Sequence, residues 1–81
     1  MENRVAILAI IVHNRDSVTR INDLLHKYAD GIIGRMGIPY REKNINIISV
    51  VLDAPQDTIN ALSGEIGRLE GVNARILYSA A

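Results

Sequence analysis

Cysteine, tryptophan and phenylalanine are absent from this chain, and each absence removes a class of structure or chemistry. Without cysteine there is no disulfide, no thiolate nucleophile and no cysteine-ligated metal. Without Trp or Phe, and with three tyrosines as the only aromatics, the core must be filled by Ile, Leu, Val and Ala, a β-branched bias that suits strands. Net charge is missing as well. Nine basic and nine acidic residues cancel, which leaves no electrostatic footprint for nucleic acid or an anionic membrane. Long apolar runs are also lacking: Val5–Val12 falls far short of the ~20 residues that span a bilayer, and it has no cleavage motif of a signal peptide. A single cytoplasmic domain over 1–81 is the expectation. At this size only about 60% of the unfolded surface is buried on folding, so a lone monomer would be modestly stable.

What is present, at 48% hydrophobic, is patterned. Val5–Val12 is apolar at every position, as in a strand covered on both faces. Asn14 supplies a helix N-cap, and Val18, Ile21, Leu25 and Tyr28 then fall on one helical stripe opposite Asp16, Arg20, Asp23 and Lys27. Two acid-before-base pairs on that outer face are each expected to add a few tenths of a kcal/mol. Gly31 is the expected left-handed stop. Ile32–Ile38 reads as a weaker strand with Ile32, Met36 and Ile38 on one face, demoted to a sheet edge by its glycines and Pro39. After a charged turn at Tyr40–Asn44, Ile45–Leu52 is apolar except for Asn46 and Ser49. Ala54-Pro55 opens a second helix with proline at the tolerated first position, and Ile59, Leu62, Ile66 and Leu69 make its core stripe before Gly71 stops it. Val72–Ser79 alternates as a second edge strand.

The order β-α-β-β-α-β predicts an α+β, ferredoxin-like split unit: a four-stranded antiparallel sheet with two helices on one face. In that topology the two apolar strands are central, and half their side chains lie on the face away from the helices. A patch of that kind is rarely left bare on a soluble monomer. A homodimer or higher homo-oligomer is therefore expected, joined through the sheet face or an edge strand.

Candidate chemistry is sparse. His13 and His26 are the only histidines; they lack a two-histidine ligand spacing, and no single-chain zinc or iron site can be built from them without carboxylates. Each reads as a structural or surface residue, with a metal site at His13 shared between subunits as the alternative. Gly31, Gly34 and Gly37 form G-x-x-G-x-x-G, which follows a helix and lies in a strand, so it is not a dinucleotide fingerprint. It reads as a bulged edge strand, or as bare backbone at Gly34 and Gly37 that admits a ligand or partner strand. Arg35 and Arg41 flank it as solvated surface or as anion ligands. Inside the second helix, Gly67 borders the core stripe, whereas Gly64 points away from the core without a folding reason. The serines have no nucleophile-elbow setting and no acid/base pair stands out, so a non-enzymatic role is expected.

The segments LLHKYAD (Leu24–Asp30), GIIGRMGIPYRE (Gly31–Glu42), INIISVVLDA (Ile45–Ala54) and DTINALSGEIGRLEGV (Asp57–Val72) resemble the iron-only hydrogenase system regulator family over essentially the whole chain. The resemblance implies an ACT-like regulatory domain, distantly similar to the C-terminal metal-sensing domain of nickel-responsive repressors. Those repressors have a histidine-rich second strand, a ligand cysteine and a DNA-binding ribbon-helix-helix domain. Here the matching strand is Ile32–Ile38 and there is no cysteine, so nickel sensing does not carry over, and control of transcription is expected to run through a protein partner of the hydrogenase system. ACT domains commonly bind small effectors where the first strand meets the first helix, near a subunit interface. His13, Asn14, Arg15 and Asp16 occupy that place, without the glycine of amino-acid-binding loops. The sequence thus points to an oligomeric regulatory domain sensing a small ligand or metal, with a ligand-free adaptor or a DNA-binding regulator as alternatives, and leaves any cofactor unnamed.

Overall fold

The computed structural model describes residues 2–80. Its main elements are β1 (Asn3–Val12), α1 (Val18–Lys27), β2 (Ile32–Tyr40), β3 (Ile45–Pro55), α2 (Gln56–Gly67) and β4 (Val72–Tyr78), with short 3-10 turns at Arg15–Ser17, Ala29–Gly31 and Arg41–Lys43. The four strands form one antiparallel sheet in the order β2-β3-β1-β4. Both helices lie on one face, so the ferredoxin-like arrangement expected from the pattern is the observed one.

Cross-strand partners share a face, and their register explains the core. Ala6, Leu8 and Ile10 of β1 stand opposite Leu52, Val50 and Ile48 of β3, and all six are buried. Ile21 and Leu25 of α1 and Ile59, Leu62 and Ile66 of α2 close over them. Alternate residues of β1 point the other way and are exposed. Continuous apolarity in β1 therefore does not mean that the monomer covers both its faces.

Two loops fix the helices. Asn14 Oδ1 accepts the Asp16 N–H at 3.0 Å, the capping expected of it, and the first turn is 3-10 before α1 proper begins at Val18. Ser17 is buried there, and its hydroxyl donates to the Glu70 carbonyl at 2.7 Å. The His13 N–H donates to the Gly71 carbonyl at 2.6 Å. The β1–α1 loop and the α2–β4 turn are thus stitched together.

Several local expectations are corrected. The left-handed glycine is Gly71 (φ 69°), not Gly31. A Cβ on Gly31 would meet the Ala54 Cβ at 3.0 Å, so close approach rather than chain reversal accounts for that glycine. Pro55 ends β3, and α2 starts one residue later. The same helix ends at Gly67, earlier than the apolar stripe implied, because the Leu69 N–H turns back to the Ile66 carbonyl. Gly67 is exposed. Lys27 pairs with Glu65 of α2 at 3.7 Å; this is the ion pair found among the described residues, and the two expected on the outer face, Asp16 with Arg20 and Asp23 with Lys27, do not form.

The largest correction concerns β2. Its register with β3 jumps between Ile32, opposite Leu52, and Gly34, opposite Val51. Ile33 is the extra residue of a β-bulge, and one extra residue exchanges the two faces of everything that follows. Ile32 faces the helices. Met36 and Ile38, opposite Ser49 and Ile47, face away from them, together with Tyr40. Arg35, Gly37 and Pro39 take the helix side, opposite Val50, Ile48 and Asn46.

Candidate functional site

The bulge creates two surfaces on one strand. On the helix-free side, β2 contributes Met36, Ile38 and Tyr40; β3 adds Ile47, β1 adds Val5, Ile7 and Ile11, and β4 adds Leu77. With the bulge residue Ile33, these eight are all the large hydrophobic side chains that are exposed among the described residues, at 36–69% of their full area. Taking roughly 150–230 Å² for a fully exposed large side chain, the eight leave on the order of 700 Å² of bare apolar surface, beyond the ~300–600 Å² of the largest patch on an ordinary monomer. The centre of the face is low: Ala9 and Ser49 stand opposite each other between the branched pairs Ile7–Val51 and Ile11–Ile47. Arg75, opposite Ala9 on β4, sets a charge beside that centre.

On the helix side, β2 and the start of α1 enclose a trough. One lobe, about 490 Å³, is lined by Arg15, Val18, Pro39, Arg41 and Asn46. A second, about 260 Å³, shares Val18, Pro39 and Asn46 and adds Asn22, Arg35, Gly37, Ile38 and Ile48. Arg35 donates to Asn22 Oδ1 at 2.9 Å across this lobe. A Cβ on Gly37 would meet nothing within 4 Å, so the missing side chain leaves the floor open. Neither lobe is lined by a carboxylate or a histidine.

The residues singled out in the sequence divide between these places. Arg15, Arg35 and Gly37 come together in the trough, with Arg41. Asn14 does not line it; its side chain caps the first turn and its Cβ lies under Gly71. His13 is exposed beyond the end of β1, and Asp16 is exposed in the 3-10 turn that precedes α1. Gly34 lies at the bulge opposite Val51, on the apolar face. Among the described residues, no three His, Cys, Asp or Glu side chains converge on a point that could hold a metal. Asn46 was passed over in the sequence although it carried a signal: it shares the strand parity of Ile48, Val50 and Leu52, so a polar residue there sits on the core-facing side at the strand's open end.

A polar contact ties the two helices together beyond the trough. The Tyr28 hydroxyl donates to Glu65 Oε1 at 2.8 Å, and Lys27 lies 5.4 Å from the Tyr28 ring centroid. Hydrogen bonding to the Glu65 carboxylate, then burial, then that carboxylate's charge hold the Tyr28 pKa above its usual 10.0. No helix among the described residues is long and apolar enough to cross a membrane.

Comparison with known proteins bears on the fold and the family. No curated protein matches the chain. Among solved structures it is similar to the uncharacterized protein TM1266 from Thermotoga maritima, at 41% identity and a TM-score of 0.92, over 98% of this chain and 100% of that one. A family model, "TM1266-like: Iron-only hydrogenase system regulator, putative", matches residues 4–76. With nearly its whole length matched, the chain belongs to this TM1266-like family of iron-only hydrogenase system regulators.

Proposed function

We propose that this chain is a non-enzymatic regulatory domain of the iron-only hydrogenase system that works as a homodimer joined through the helix-free face of its sheet and senses a small ligand. One observation carries the reading: among the described residues, eight of the nine large hydrophobic side chains that are exposed lie on that face. A face of on the order of 700 Å² is close to the ~800 Å² that each partner contributes to a standard protein–protein interface. A second copy is the fitting occupant, because a two-fold axis through the low centre at Ala9 and Ser49 lets the ridges at Ile7–Val51 and Ile11–Ile47 of one copy flank those of the other.

Strand β2 gives the domain a means of signalling. It has a single strand neighbour, β3, and its residues alternate between trough (Arg35, Gly37, Pro39) and dimer face (Met36, Ile38, Tyr40). A ligand that draws β2 toward α1 moves the rim of the interface. It acts only to the extent that it binds one arrangement of the subunits better than another. The trough's arginines repel cations, which favours a molecular ligand over a metal ion. Sedimentation equilibrium of the purified chain at micromolar concentration tests the assembly: a dimer is expected, and a monomer throughout the range contradicts it.

A further inference from the structure

The trough's lining has one sign of charge. Three other hollows of the surface mix signs: Arg20 and Arg68 with Asp23 and Glu65 between the helices, Arg4 with Glu2 and Asp57, and Lys27 with Asp30 and Asp53. The trough between α1 and β2 brings Arg15, Arg35 and Arg41 together with no acid in its lining. None of the three forms an ion pair among the described residues, and the partner of Arg35 is the neutral Asn22. In a chain whose nine basic and nine acidic residues balance, this concentration of uncompensated guanidinium is local.

We propose that the trough is a binding site for a compact, multiply charged anion, a phosphate or polycarboxylate compound of metabolite size, held by Arg15, Arg35 and Arg41. Guanidinium groups present paired donors that match the oxygens of phosphate and carboxylate, and such charge-assisted bonds are the strong ones. Asn22 accepts one N–H of Arg35, which leaves the other donors of that guanidinium for an anion. Asn46 offers a neutral amide at the junction of the two lobes, able to orient the ligand beyond its charge. The lobes fall in or near the ~300–1,000 Å³ range of small-molecule sites. Gly37 keeps the floor clear, and it is one of the β2 residues that alternate with the dimer face. A small anion suits the site better than a nucleic acid, because the basic lining is confined to this trough in a chain without net charge.

The inference rests on the regulatory reading for its purpose, and its test separates the two. Isothermal titration calorimetry of the full chain at low ionic strength uses pyrophosphate in one arm and citrate in the other. Binding in the sub-millimolar range is expected in at least one arm, and the tighter arm identifies phosphate or carboxylate as the ligand's charged group. Arg15→Gln, Arg35→Gln and Arg41→Gln should each weaken binding by about 10-fold or more. Gly37→Val should block the site while retaining all three arginines and the fold, since the space is open and valine suits a strand. Arg20→Gln and Arg68→Gln, in the mixed-charge hollow, should leave affinity unchanged. No heat from 10 mM of either anion overturns the proposal, as does equal weakening by all five arginine variants, or tighter binding of single-stranded nucleic acid at the same site. Sedimentation of the same samples keeps the readings apart: a dimer that ignores both anions defeats this site alone, and a monomer that binds one of them defeats the dimer alone.

Discussion

Replacing Gly71 with alanine should be the most damaging small change outside the core. At φ 69° an L-residue is disfavoured by roughly 1–2 kcal/mol. The new Cβ would also stand 2.7 Å from the Asn14 Cβ and 2.9 Å from the Asn14 nitrogen, closer than such atoms approach, and neither belongs to the free end of a flexible side chain. Moving Gly71 away strains the His13 N–H bond to its carbonyl, and moving Asn14 disturbs the cap on Asp16. Losing these adds about 1 kcal/mol each. The total is about 3–4 kcal/mol, a large share of the roughly 5–15 kcal/mol that holds a domain together, and it lowers Tm by about 12–30 °C in a domain this small. Urea unfolding followed by circular dichroism measures it, with Gly31→Ala as the comparison. Gly31→Ala meets one Cβ at 3.0 Å without a positive φ and should cost less. A loss under about 1 kcal/mol for Gly71→Ala, or a larger one for Gly31→Ala, refutes the reasoning.

Two further outcomes follow from the helices. Gly64→Ala should stabilise the fold by roughly 1 kcal/mol, since a Cβ there meets only the Arg68 Nη1 at an ordinary 3.6 Å; thermal melts check it, and a destabilised helix or lost dimer would place Gly64 in a contact. The Tyr28 pKa is raised in the fold by its hydrogen bond to Glu65, so the stability this bond provides is fully present below pH 10 and fades as Tyr28 ionises above it. Urea titrations at pH 8 and pH 11 should show the advantage of the parent chain over Tyr28→Phe shrinking at the higher pH, whereas an unchanged difference would show that the hydroxyl's ionisation does not matter to the fold.

The fold was legible because burial leaves its period in the sequence. Val5–Val12 and Ile45–Leu52 carry enough apolar residues to mark the central strands, and the stripes of Ile21 and Leu25 and of Ile59, Leu62 and Ile66 set the helices above them. The bare face could be anticipated from the same runs, since two helices on one side leave the alternate residues of both strands uncovered. The two faces of β2 could not be read. Counting by twos from Ile32 fails once Ile33 is inserted as a bulge, and nothing in residue type marks Ile33 as the extra one. The left-handed glycine was misplaced for a related reason: Gly31 and Gly71 both follow helices, and only the approach of Asn14 tells them apart. The trough suffers from both problems. Arg15, Arg35 and Arg41 are visible as residue types, but their common side depends on the bulge and on how α1 lies beside β2.

The claim on which the regulatory account rests is that the helix-free sheet face joins two copies, and the mass in solution tests it most directly. Sedimentation equilibrium should be run on the parent chain and on Ile7→Lys/Ile47→Lys, whose side chains are 41% and 36% exposed and so can change without emptying the core. The parent should be a dimer dissociating at about 1 µM or below, and the double variant a folded monomer. A parent chain that stays monomeric at 100 µM, or a double variant that stays as dimeric as its parent, would contradict it.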